Sequence, residues 1–102
     1  MQNLEAKFKS RAAINRGSYI LFTKAIALEF IDACEKEGAK VLGIDAFHKI
    51  DDETIRPDIE NSVDFSSSPL SGIENAYQSA RDFLEKREDT LFFEIVWAQG
   101  DN

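Results

Sequence analysis

Between Tyr19 and Phe47 an apolar run, a capped amphipathic stretch and a second apolar run follow one another almost without connecting chain, and this succession restricts the fold more than any other part of the sequence. Tyr19-Ile20-Leu21-Phe22 has the aromatic and β-branched chemistry of a short strand. Thr23 stands where an N-cap is wanted and Gly38 where a left-handed residue ends a helix, so a helix is expected from Thr23 through about Glu37. On that helix Ile26, Ala27, Phe30, Ile31 and Cys34 share one arc, with Glu29, Asp32 and Lys36 opposite, a stripe wide enough to lie on a sheet. Val41-Leu42-Gly43-Ile44-Asp45-Ala46-Phe47 then reads as a second strand. Joints this short favour a right-handed crossover that leaves the two strands as parallel neighbours.

The flanking segments extend this unit. Leu4-Glu5-Ala6-Lys7-Phe8-Lys9 alternates like a half-buried strand, yet Leu4, Phe8 and Ala12 at spacing four suit a helix, so residues 3–14 fit either. Asn15-Arg16-Gly17-Ser18 is a loop by composition. Asp51-Asp52-Glu53 is a polar turn able to return the chain through Thr54-Ile55-Arg56 as a hairpin, and Pro57, which lacks an amide donor, places the returning strand at a sheet edge. Ser62-Val63-Asp64-Phe65 is a further short extended piece, and Ser66-Ser67-Ser68-Pro69 a loop. Ser71-Gly72-Ile73-Glu74 has the spacing of a capping box, after which Ile73, Ala76, Tyr77, Ala80, Phe83 and Leu84 repeat at helical steps, with Lys86 and Arg87 in the last turn. Leu91–Ala98 is apolar at both parities apart from Glu94 and reads as a central strand. The expected fold is an α+β single domain over residues 1–102: a mixed central sheet of about four strands with two amphipathic helices packed on it. Hydrophobic residues make up 43% of 102 positions, eight of them Phe, which is enough for a genuine core.

Charge is divided unevenly along the chain. Residues 1–40 carry seven Lys and Arg against five acids, or +2, which leaves five against fourteen, or −9, for the rest of a chain whose net charge is −7. Asp45, Asp51, Asp52, Glu53, Asp58, Glu60 and Asp64 fall in one stretch offset only by Lys49 and Arg56. Such a balance disfavours nucleic-acid and anionic-membrane partners, both of which need a cationic face. It suits a basic protein partner, through long-range attraction. No run approaches the roughly 18 apolar residues of a membrane span, the first residues lack the apolar stretch of a secretory signal, and a cytosolic protein is expected.

Catalytic signals are sparse. The single histidine, His48, is a general base only in company; Asp45 or Asp64 would orient it, and Ser18 and Ser66 lack the Gly-x-Ser-x-Gly setting of a nucleophile. Cys34, alone of its kind, leaves no internal disulfide or thiolate cluster and reads as a core thiol, and Tyr77 and Trp97 read as core aromatics. The acids after Asp51 fail the EF-hand pattern, with Arg56 at the glycine position and Ser62 at the bidentate-glutamate position. No glycine-rich phosphate loop occurs. No catalytic residue, metal or cofactor is expected from this pattern. A small enzyme built on His48, or an adaptor pairing through a sheet edge near Pro57, stand as the rival classes.

Asn15-Arg16-Gly17-Ser18-Tyr19, the helix Ala27-Leu28-Glu29-Phe30-Ile31-Asp32-Ala33-Cys34, Val41–Phe47 and Asp58-Ile59-Glu60-Asn61-Ser62-Val63-Asp64-Phe65 together resemble the immunity protein 40 family, among the small immunity proteins of bacterial polymorphic-toxin and contact-dependent growth inhibition systems. The resemblance spans most of residues 15–65. It implies a cytosolic antitoxin that binds the C-terminal toxin domain of a delivered effector, often a nuclease with a basic cleft. Immunity families have no active-site residues to carry over, so the contact set rests on electrostatics. Asp45, Asp51, Asp52, Glu53, Asp58, Glu60 and Asp64 are expected to face the toxin's lysines and arginines, with Phe47 or His48 supplying desolvated contact.

Overall fold

A computed structural model describes residues 4–16, 19–65 and 73–98. The α+β class holds, with α1 at Leu4–Phe8, a 3₁₀ turn at Lys9–Arg11, β1 Ile14–Asn15, β2 Ile20–Leu21, α2 Lys24–Glu37, β3 Lys40–Asp51, β4 Thr54–Asp64, α3 Ile73–Glu85 and β5 Phe92–Ala98. The opening segment is helical because spacing four wins over spacing two: Leu4 and Phe8 are both buried, and the Phe8 ring packs 5.1 Å from that of Phe30 and 6.3 Å from that of Phe22. Its polar side is tied to α2 by Lys7–Glu37 at 2.7 Å, and the following turn by Arg11–Glu29 at 2.8 Å.

The expected boundaries of α2 are the observed ones. Thr23 Oγ1 accepts from the Ile26 amide at 3.4 Å, and Gly38 ends the helix at φ 74°. The Ala39 amide reaches the Cys34 carbonyl at 2.9 Å and the Gly38 amide that of Glu35 at 3.3 Å, the paired bonds of a Schellman ending. Ala27, Phe30, Ile31 and Cys34 form the buried face. On α3, Tyr77, Ala80 and Leu84 are buried, and the Tyr77 hydroxyl donates to the Ala39 carbonyl at 2.6 Å. Arg81 clamps the two helices together by pairing with Asp32 at 2.9 Å and with Glu35. Lys86 and Arg87 lie just past the end of α3 rather than in its last turn, with the Arg87 guanidinium 4.3 Å over the Phe83 ring. The capping box at Ser71-Gly72-Ile73-Glu74 and the loop Ser66–Pro69 lie, wholly or at their decisive positions, outside the described residues, as do Gly17 and Ser18.

Strand order departs from expectation. The main sheet runs β4-β3-β5 with both pairings antiparallel, and β1-β2 is a separate antiparallel hairpin joined to it by Phe22, which exchanges two 2.8 Å backbone bonds with Phe93. The strands on either side of α2 are therefore not the parallel neighbours that short joints suggested, since β5 stands between them. The reason lies in the composition of β5. Phe93 and Ile95 need cover on one face and Phe92 on the other, which a place between β3 and Phe22 provides. Within the three-stranded sheet the central strand is consequently β3. The main core fills the space between the sheet and the helices, and a second, smaller cluster of Ile14, Leu21 and Phe47 lies on the opposite face under the β1–β2 hairpin.

The β3–β4 hairpin turns at Asp52-Glu53, with Asp51 opposite Thr54, and β4 carries Pro57 along the edge as its missing donor requires. The segment Ser62–Asp64 is the continuation of this same strand, after an interruption. Ala46 faces Asp58 and Ile44 faces Val63, so residues 59–62 stand opposite Asp45 alone in an enlarged bulge. Below it Gly43 permits close approach, since a Cβ there would lie 2.9 Å from the Val63 carbonyl oxygen.

Candidate protein-binding face

Side chains alternate along β3, which sends Ile44 and Ala46 into the main core and Asp45 and Phe47 to the other side of the sheet. On that other side the β1–β2 hairpin covers one end and leaves a trough. A hollow of about 490 Å³ is lined by Tyr19, Asp45, Phe47, Pro57, Ile59, Asp64 and Glu94 among others, within the roughly 300–1,000 Å³ of ligand clefts. A second hollow of about 260 Å³ adjoins it through Asp45, Val63 and Asp64 and reaches Val96. Four large apolar side chains are exposed among the described residues, Tyr19, Ile50, Ile59 and Val96, and three of the four border this trough. Ile59, at the crest of the bulge, is 84% exposed. These side chains place exposed apolar surface beside the acids of the trough.

A network of short bonds holds the bulge. Ser62 Oγ takes the place of a strand partner, accepting from the Ala46 amide at 2.9 Å and donating to the Asp58 carbonyl at 2.7 Å. The Asp58 carboxylate accepts from the Asn61 amide at 3.3 Å and from Asn61 Nδ2 at 2.8 Å, and lies 2.7 Å from His48 Nε2. These contacts hold the Asp58 carboxyl below the usual range, Asn61 contributing most and His48 next. Arg87 Nη1 donates to Asn61 Oδ1 at 3.3 Å, tying the bulge to the end of α3.

The nine residues singled out from sequence all belong to the β3–β4 hairpin, but the structure distributes them over three places. Asp45, Phe47 and Asp64 line the trough. His48, Asp58 and Glu60 surround a shallow depression with Arg56. Asp51, Asp52 and Glu53 form the hairpin tip, where Asp52 is 99% exposed and 3.5 Å from Lys49. At the tip Asp51 Oδ1 accepts from the Glu53 amide at 2.8 Å, which with Thr54 and Arg16 lowers the Asp51 carboxyl, and Arg16 donates to the carbonyls of both Asp52 and Glu53. These bonds shape the turn from within. Acids that fall in one stretch of sequence are thus divided among a trough, a tip and an edge.

Two expectations about particular residues are corrected. The carboxylate beside His48 is Asp58, because Ala46 pairs with Asp58 and puts it diagonally across from His48 on the same face, whereas Asp45 points to the opposite face. Phe47 is only 5% exposed, its ring held against Ile14, Leu21 and Tyr19 (5.7 Å between centroids), so it supports the trough from below and the exposed apolar contact falls to Tyr19 and Ile59. Cys34 is fully buried, and burial pushes its thiol up to about 12.

Sequence reasoning missed Tyr19, Ile59, Val96 and Glu94. Glu94 had a visible signal as the one charge in the apolar run of β5; in the fold it is the register partner of Asp45, which brings two carboxylates side by side across β3 and β5. Like charges directly opposite one another disfavour a sheet, and Glu94 has a further contact within the chain. Among the described residues no group of three or more His, Cys, Asp and Glu could hold a metal ion, and no helix is long and apolar enough to cross a membrane. Comparison with known proteins finds no matching family model, curated protein or solved structure.

Proposed function

We propose that this protein is an immunity protein, an antitoxin that binds the C-terminal toxin domain of a cognate polymorphic or contact-dependent inhibition effector and covers its basic cleft. The observation that carries this reading is the trough: carboxylates from three strands among exposed apolar side chains, on a sheet face that the chain's own helices leave uncovered. Apolar anchors in the middle of a contact and complementary charge around it give slow release and fast encounter respectively. The protein acts in the cytosol of the producing cell, where the toxin domain, a nuclease by preference, presents lysines and arginines evolved to hold nucleic acid. Occlusion requires only that a rigid acidic face fit that cleft.

The test begins with the neighbouring reading frame, where a large secreted protein with a variable C-terminal domain is expected. Co-expression of this chain should restore growth to cells making that domain, and the purified pair should bind more weakly as salt rises. Growth arrest unrelieved by co-expression, with no complex at low salt, would defeat the proposal.

A further inference from the structure

We propose that the trough seats an arginine side chain of the partner protein, its guanidinium received by Asp45, Asp64 and Glu94 beside the Tyr19 ring and its aliphatic stem laid along Pro57, Val63 and Ile59. The inference rests on the partner-binding reading above and specifies the chemistry of that site. Asp45 comes from β3, Asp64 from β4 and Glu94 from β5, and all three line one hollow. Asp64 and Glu94 each also have a contact within the chain.

The cation is chosen by shape. Among the described residues no group of three His, Cys, Asp or Glu could hold a metal ion, and an arginine guanidinium, broader than an ion, can reach carboxylates on more than one strand. Guanidinium is planar, presents five donors in a fork that matches carboxylates, is weakly hydrated and stacks on aromatic rings, whereas an ammonium is a compact and strongly hydrated point charge. Tyr19, exposed and braced edge-on by Phe47, offers such a ring beside the acids. The apolar stretch that an arginine stem needs is supplied by Pro57, Val63 and Ile59. Rigidity favours the seat as well, because the bulge that presents Ile59 is bonded at Ser62 and Asp58 before any partner arrives.

The experiment titrates the full, isotope-labelled chain with a blocked tripeptide, acetyl-Val-Arg-Val-amide, followed by amide chemical shifts, alongside the same peptide with citrulline, the neutral isostere, in place of arginine. Saturable shifts at Asp45, Phe47, Asp64 and Glu94 are expected, with dissociation constants on the order of millimolar, and the citrulline peptide should bind at least about tenfold more weakly. The double variant Asp45→Asn/Glu94→Gln, whose dispersed spectrum reports folding, should lose binding by a similar factor, while Asp51→Asn/Asp52→Asn/Glu53→Gln should not. Shifts confined to the hairpin tip, equal binding of citrulline, or no saturable shift would each overturn the arginine seat. If the seat fails while tip variants break binding to the toxin, the antitoxin reading survives. Should the seat hold while the toxin of the neighbouring frame goes unbound, that reading fails alone.

Discussion

Removing one hydroxyl should loosen the whole rim of the trough. Ser62 Oγ bonds the Ala46 amide at 2.9 Å and the Asp58 carbonyl at 2.7 Å, both part-buried, at the larger of the two interruptions of the β3–β4 ladder. Ser62→Ala deletes both bonds and adds no bulk. A typical intramolecular hydrogen bond contributes about 0.5–1.5 kcal/mol, and a partner left orphaned costs somewhat more, so the two together amount to about 2 kcal/mol. For a domain of this size that corresponds to a fall in Tm of roughly 10 °C. Calorimetry reads the global loss, and native-state hydrogen exchange locates it. The Ala46 amide should exchange far faster, while the Phe93 amide, bonded to the Phe22 carbonyl, should change only by the global amount. A Tm within about 1–2 °C of the parent, or an Ala46 amide still as protected as that of Phe93, would show that the hydroxyl does not hold the bulge.

Phe22→Ala should cost about 3–5 kcal/mol, because Phe22 is buried among Phe8 and Phe30 and its strand joins the β1–β2 hairpin to β5; denaturant unfolding measures it, and a loss below about 1 kcal/mol would contradict this packing. Cys34, buried with its thiol raised to about 12, should resist alkylation at pH 8 in the native protein and react promptly once unfolded, as mass spectrometry would show. The carboxyls of Asp51 and Asp58 are lowered by folding, so each stabilises the fold above the unfolded carboxyl value of about 3.9 and loses that contribution as pH falls through the still lower folded value. Thermal melts should therefore show Tm dropping below about pH 4, and the drop should be shallower in Asp58→Asn; an identical acid limb in that variant would refute the role given to Asp58.

What could be read directly from the sequence was local. Thr23 and Gly38 bound α2 because a cap and a left-handed ending depend on residues within one turn, and Pro57 signalled an edge because a missing amide has the same consequence in any sheet. The order of strands was not legible, since the choice of β5 over β2 as neighbour of β3 is made by packing across the whole domain. Register had the same effect on the candidate site. Alternation on β3 separated Asp45 from His48, the hairpin register that pairs Ala46 with Asp58 gave His48 an unforeseen partner, and β5 brought Glu94 beside Asp45 from 49 positions away in the sequence. Counting acids pointed to the β3–β4 hairpin. It could not find the face, because adjacent residues of a strand point in opposite directions.

Calorimetric titration of the proposed toxin partner with the trough variant Asp45→Lys/Glu94→Lys and with the tip variant Asp51→Lys/Asp52→Lys/Glu53→Lys, each first shown to melt cooperatively, weighs the acidic trough against acidity in general. Binding through the trough predicts at least a hundredfold loss, about 2.7 kcal/mol, in the first variant and under about tenfold in the second. Parental affinity in the trough variant would contradict the assignment of this face as the binding surface.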